Sequence, residues 1–144
     1  MKILITKDTM SEIYLDAVKI RNKVFIQEQG VPLAREIDKN EAYSIHFVLY
    51  PEDHQAAATV RLLPLNSQEV KLQRMAVLKD FRGQHLGEAI IKEAELFAKQ
   101  QEFREIRLDA QLTAQSFYEN QGYGTYGQVF QDAGIDHIHM KKEL

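Results

Sequence analysis

The stretch VKLQRMAVLKDFRGQHLGEAIIKEAELFAK, Val70 to Lys99, decides how the rest of the chain is read. Val70 to Leu78 is an extended run and Lys79 to His85 a polar turn. A long helix follows, in which Leu86, Ile90, Ala94 and Phe97 recur at helical spacing and make one apolar stripe. The turn brings Arg82, Gly83 and Gly87 to the helix start, where first-turn N–H groups have no intrahelical partner. Those donors, with the positive end of the helix dipole, form a seat for a phosphate or pyrophosphate. Glycine at 83 and 87 lets an anion or a neighbouring backbone approach without a Cβ in the way. The loop is not the nucleotide-binding pattern GxxxxGK(S/T), because Glu88 follows Gly87 where that pattern needs lysine. Nor is it GxGxxG, since Gln84 and His85 occupy the places that spacing gives to glycine.

Working outward, Lys2 to Thr6 is a short strand, and Met10 to Gln29 is a helix with Ile13, Ala17, Ile20 and Val24 on one stripe. Thr9 or Ser11 caps that helix, and Gly30 followed by Pro32 ends it. Residues 28–44 form a charged loop or short second helix. Ser44 to Tyr50 is a strand closed by the turn PEDHQ, and Ala56 to Leu65 is its antiparallel partner. A turn at Asn66–Ser67 leads into the strand at Val70. Beyond the long helix, Glu105 to Ala110 completes a β-α-β pattern, which favours a parallel or mixed connection beside the anion loop. Thr113 to Gln121 is a short helix closed by Gly122. Tyr123 to Phe130 and Ile135 to Lys141 are a final pair of strands. The order is β-α-(α)-β-β-β-α-β-α-β-β, an α+β fold expected to be one domain over residues 1–144.

Composition narrows the function classes. The chain has 144 residues and a net charge of −3, and no basic footprint argues for a nucleic-acid partner. The absence of cysteine excludes thiol nucleophiles, disulfides and Cys-ligated zinc. No apolar run reaches membrane-spanning length, so the expectation is a cytoplasmic protein without a membrane partner. His137, His139 and Lys141 share one strand face while Ile138 and Met140 share the other, so the two histidines can line one cleft. No third residue stands at a convincing spacing for a metal. The expected metal count is none.

The segment RMAV, four residues later RGQHLG, and further on AQLTAQSFYENQGY together resemble the GNAT superfamily of N-acetyltransferases. Arg21-x-x-Val24-Phe25, Glu28-Gln29-Gly30-Val31-Pro32, Glu36-x-Asp38, His46 and His137-Ile138-His139-Met140 are similar to its ElaA/YjcF-like branch. The resemblance covers nearly the whole chain. It implies a mixed, mostly antiparallel sheet flanked by helices, with acetyl-CoA as cosubstrate and no metal. It also implies that Arg82, Gly83, Gln84, His85, Leu86 and Gly87 bind pyrophosphate, and that Met75, Ala76 and Val77 offer main-chain groups to the pantetheine arm and thioester carbonyl. His85 stands where the family's motif has its first glycine, so its side chain must point away from the phosphates. Gln111 stands where the second signature has asparagine, and Tyr118 matches that signature's tyrosine.

The implied reaction is direct attack of a neutral amine on the thioester, both substrates being held together. Tyr118 is the expected acid toward the departing thiolate. The base is open among Glu28, Glu36, Asp38, His46 and His139, acting directly or through an ordered water; Glu28 and His139 are expected to be catalytic, and Glu36, Asp38, His46 and His137 are expected at the acceptor site. The partner is an amine-bearing small molecule, and the chain is a monomer or homodimer. Two alternatives share these residues: a CoA-binding sensor or interaction module without turnover, and an enzyme like the acyl-homoserine-lactone synthases, which Arg21, Phe25, Glu36 and Asp38 also resemble.

Overall fold

The computed structural model describes residues 1–53 and 55–144. Seven strands, β1 (Lys2–Thr6), β2 (Ile45–Tyr50), β3 (Ala58–Pro64), β4 (Glu69–Val77), β5 (Glu105–Gln111), β6 (Gly124–Asp132) and β7 (Ile135–Glu143), form one sheet in the order β1-β2-β3-β4-β5-β7-β6. All neighbours are antiparallel except β4 and β5. The helices are α1 (Glu12–Arg21), α2 (Leu33–Glu36), α3 (Leu86–Gln100) and α4 (Gln115–Asn120).

Burial explains why these residues take these places. β2 is buried at every position, as a strand covered on both faces must be. Phe47 and Leu49 join the core beneath α3, and Val48 and Tyr50 join the one beneath α1. On α3, the stripe of Leu86, Ile90 and Ala94 is buried, with Ile91 and Ala98 widening it. On α1, Ala17 and Ile20 face the sheet. Ser11 is the residue that caps α1: its Oγ accepts from the Tyr14 N–H at 3.2 Å.

The first helix differs from the sequence reading. The helix expected over residues 10–29 is an α-helix only from Glu12 to Arg21, and Asn22–Glu28 continue it as a π-helix before Gly30 turns the chain at φ +74°. Of the turn expected at residues 51–55, His54 lies outside the described residues. The final two strands pair with each other, and β6 takes the sheet edge. β7 inserts between β5 and β6, which sets His137 opposite Gln111 and His139 opposite Asp109.

Two features of β4 open the sheet. Thr59 pairs with Ala76 and Arg61 with Gln73, so Val60 faces both Arg74 and Met75 across a β-bulge. Arg74 sits in the left-handed region at φ +57°. The parallel pairing with β5 is confined to Glu69–Lys71 against Glu105–Arg107. Past that point the two strands part, leaving backbone edges that no neighbouring strand satisfies.

Candidate functional site

The fork between β4 and β5 and the start of α3 enclose one cleft of about 980 Å³. Among the described residues, the backbone N–H groups of residues 83–88 donate to no backbone carbonyl and no side chain. They form the unpaired donor set that a helix start presents to an anion. Gly83 holds φ +80° with nothing within 4 Å of where a Cβ would stand. His85 also lies in the left-handed region at φ +62°, and its ring is 81% exposed, near Glu88 at 3.3 Å. The histidine therefore accepts a conformation that glycine adopts without strain, and turns its side chain outward. Gly87 has a different reason from the one its spacing suggests. A Cβ there would meet Phe117 Cζ at 3.3 Å, so its missing side chain makes room for an aromatic ring of α4.

These features fit an elongated pyrophosphate-bearing thioester. Anion donors stand at one end, an open strand edge with Met75, Ala76 and Val77 runs alongside, and Tyr118 lines the same cleft. Of the residues expected to bind such a group, Arg82, Gly83, His85, Leu86, Gly87 and Gln111 border it too, whereas Gln84 does not. Arg82 is engaged: its Nε donates to the Val77 carbonyl at 3.0 Å, and its Nη2 to both oxygens of Glu28 at 2.9 and 3.0 Å. Gln111 donates to the Gln29 side chain at 2.9 Å.

Tyr118 is 6% exposed, wedged between Phe117 at 5.1 Å and Tyr123 at 5.9 Å, both edge-to-face. Its hydroxyl has no hydrogen-bond partner among the described residues, yet no sealed, unpartnered side-chain oxygen occurs there. The hydroxyl therefore keeps some accessible surface, and Tyr118 lines the cleft. Burial pushes the phenol's pKa well above its ordinary value, so it is protonated at neutral pH.

Four residues expected at the acceptor site or as bases have other work. Arg21 and Arg61, each 1% exposed, anchor a buried charge cluster beneath α1. Arg21 binds Glu36 at 2.7 Å and Glu41 at 2.8 Å, while Arg61 binds Glu41 at 2.7 Å and Asp38 at 2.8 Å. Arg74 adds bonds to Glu36 at 3.2 Å and Asp38 at 3.1 Å. Three guanidinium groups thus meet three carboxylates, which balances charge that would be costly to bury unpaired. Glu36 borders the cleft, but its carboxylate is committed to two arginines. Asp38 lies outside the cleft, and so does His46. His46 is 1% exposed, and its Nε2 lies 2.9 Å from the Glu41 carbonyl. Burial pushes its pKa down, so it is a neutral structural ring. Glu28 reaches the cleft with both oxygens occupied by Arg82.

The histidines of β7 separate as well. His137 borders the cleft, its Nδ1 is 2.7 Å from the Ile135 carbonyl, and its ring stacks on Phe130. His139 stands one strand beyond the fork and outside the cleft, with Nδ1 2.5 Å from Asp109, which lines the cleft. Asp109 also accepts from Lys71 Nζ at 2.9 Å. Sequence reasoning missed Lys71, Arg74 and Asp109. The alternation Arg107-x-Asp109-x-Gln111, polar on one face of β5 and buried on the other, was the available signal for Asp109. No local pattern marks the bulge at Arg74.

The family model described as acetyltransferase (GNAT) domain matches residues 13–144. An uncharacterised N-acetyltransferase of Bacillus subtilis, YjcF, is 35% identical over 99% of this chain and 100% of its own. A crystal structure of a protein from Lactobacillus plantarum superposes with a TM-score of 0.92 at 28% identity, covering 99% of this chain and 97% of that one. Escherichia coli ElaA superposes with a TM-score of 0.86 at 24% identity over 99% and 100% of the two chains.

Proposed function

The chain belongs to the GNAT acetyltransferases, in their ElaA/YjcF-like branch, and is an acetyl-CoA-dependent acyltransferase; from that premise we propose that it moves the acetyl group to a primary amine by direct attack. The observation that carries this reading is that the unpaired amides of residues 83–88, the open edge of β4 and Tyr118 meet in one cleft. Acetyl-CoA supplies an activated carbonyl and a thiolate leaving group. Arg82 and the amides of the loop hold the diphosphate, and the main chain at Met75 to Val77 orients the pantetheine and the carbonyl.

The acceptor arrives as an ammonium, which has no lone pair for attack. His139, which stands outside the cleft beside the cleft-lining Asp109, takes one proton at Nε2 through a bridging water, the nitrogen–carbon bond forms as the carbon–sulfur bond breaks, and Tyr118 gives its proton to the departing sulfur. The second nitrogen proton leaves to solvent and a proton returns to the phenolate. The net change is ammonium plus thioester to amide, thiol and one proton. Glu28, the other expected base, is held by Arg82 and serves the loop instead.

Titrating the protein with acetyl-CoA, then assaying thiol release against a panel of amines, tests the reading. Saturable binding with amine-dependent release is the expected result. Binding without release from any amine favours a CoA-binding module. Release that requires acyl carrier protein and S-adenosylmethionine favours a lactone synthase. Failure to bind acetyl-CoA overturns the assignment of the cleft.

A further inference from the structure

One face of the sheet is covered by α1 over β1 to β4. On that face three strands contribute one side chain each to a chain of contacts: Lys71 from β4, Asp109 from β5 and His139 from β7. Lys71 lies in the last parallel pair before the fork opens, and Asp109 is directly opposite His139 in the antiparallel register. Both carboxylate oxygens of Asp109 are claimed, Oδ2 by Lys71 and Oδ1 by His139 Nδ1. The histidine ring is also stacked at 22° on Tyr126 at 5.3 Å and on Phe130 at 4.4 Å. Only Nε2 is without a partner among the described residues, on a ring 39% exposed.

We propose that Lys71 and Asp109 are positioning residues that hold His139 in the tautomer with Nδ1 protonated and Nε2 open, and so make it the proton acceptor for the amine. The inference rests on the acetyltransferase reading for its catalytic half, while the tautomer stands on geometry alone. A carboxylate accepts from Nδ1–H, which leaves the neutral ring's lone pair on Nε2. The imidazolium that forms when Nε2 takes a proton is met by the Asp109 charge, and the stacked rings prevent the imidazole from turning away. Lys71 acts one step further back. Its ammonium keeps Asp109 ionised, so the carboxylate orients the ring without itself taking the proton. Burial opposes the charge on Asp109, but the bonds from Lys71 and His139 outweigh it and hold its pKa below the ordinary value.

The test reads the ring nitrogens of His139 by ¹⁵N NMR on the full chain, without any ligand, under mildly alkaline conditions. The expected spectrum is that of an Nδ1–H, Nε2-acceptor imidazole in the native chain, shifting toward the opposite tautomer or a mixture in Asp109→Ala. In parallel, Asp109→Asn is expected to lower kcat about 10²-fold with KM for acetyl-CoA changed less than about twofold, and Asp109→Glu to restore part of the loss. Lys71→Met, the milder variant should Asp109 changes impair folding, is expected to lower kcat about tenfold without altering acetyl-CoA binding. An Nε2–H tautomer in the native chain overturns the inference whatever the activity. So does wild-type kcat in Asp109→Asn. A correct tautomer in a protein that acetylates no amine instead overturns the acetyltransferase reading and leaves the positioning of the ring intact.

Discussion

Replacing Tyr118 by phenylalanine separates chemistry from folding more cleanly than any other change in the cleft. The hydroxyl makes no hydrogen bond to a described residue, so the roughly 1 kcal/mol that a typical bond contributes is not at stake. The ring keeps its edge-to-face contacts with Phe117 and Tyr123, and stability should stay within about 0.5 kcal/mol of the parent. Tyr118→Ala, by contrast, removes a ring that is 6% exposed and should cost about 3–5 kcal/mol. If the phenol protonates the departing sulfur, its loss should slow kcat by about 10²–10⁴-fold, or roughly 2.7–5.4 kcal/mol of barrier. The dissociation constant for acetyl-CoA should move less than about twofold, since the group acts on charge that develops only as the bond breaks. Thiol release with a saturating amine, acetyl-CoA titration calorimetry and a urea melt supply the three measurements. An unchanged kcat across pH, in a variant that binds and folds normally, refutes the acid role.

Three other outcomes follow from the geometry. His85→Gly relieves a left-handed residue whose side chain is exposed, and should stabilise the protein by up to about 1 kcal/mol with acetyl-CoA binding equal or tighter; weaker binding by calorimetry would show that the imidazole contributes to the cofactor seat. Glu41→Gln takes one charge from between Arg21 and Arg61 and should cost about 3–5 kcal/mol in a urea melt, because it leaves buried guanidinium charge uncompensated; a loss under about 1 kcal/mol contradicts that view of the cluster. Burial and the bond to the Glu41 carboxylate raise the Tyr14 pKa to about 12, so the stabilisation it brings is fully present below the ordinary phenol value of about 10 and is lost as pH rises through about 12. Melting temperature against pH for the parent and Tyr14→Phe should therefore converge at the alkaline end, and parallel curves would rule out this titration.

What could be read from the chain alone was whatever repeats within one element. The stripe of Leu86, Ile90 and Ala94, the near-continuous apolar run of β2, the cap at Ser11 and the loop from Arg82 to Gly87 each depend on residues a few positions apart. Local spacing suffices for these because backbone geometry converts it directly into a face or a helix end. The same reach placed Tyr118 on a short helix beside that loop, and the resemblance of the surrounding motifs supplied the role proposed for it.

Tertiary structure decided which distant partners each ionisable group obtained. Glu28, Glu36, Asp38, His46, His137 and His139 look alike as candidate bases or acceptor-site groups when only their order is known. Folding gave Glu36 and Asp38 to arginines on α1, β3 and β4, sealed His46 against the Glu41 carbonyl, and tied Glu28 to Arg82. It alone inserted β7 between β5 and β6, thereby setting His139 against Asp109, thirty positions earlier. Strand order and the bulge at Arg74 follow from how whole faces pack and how the sheet splits, and a charge keeps or loses its freedom according to what that packing places beside it.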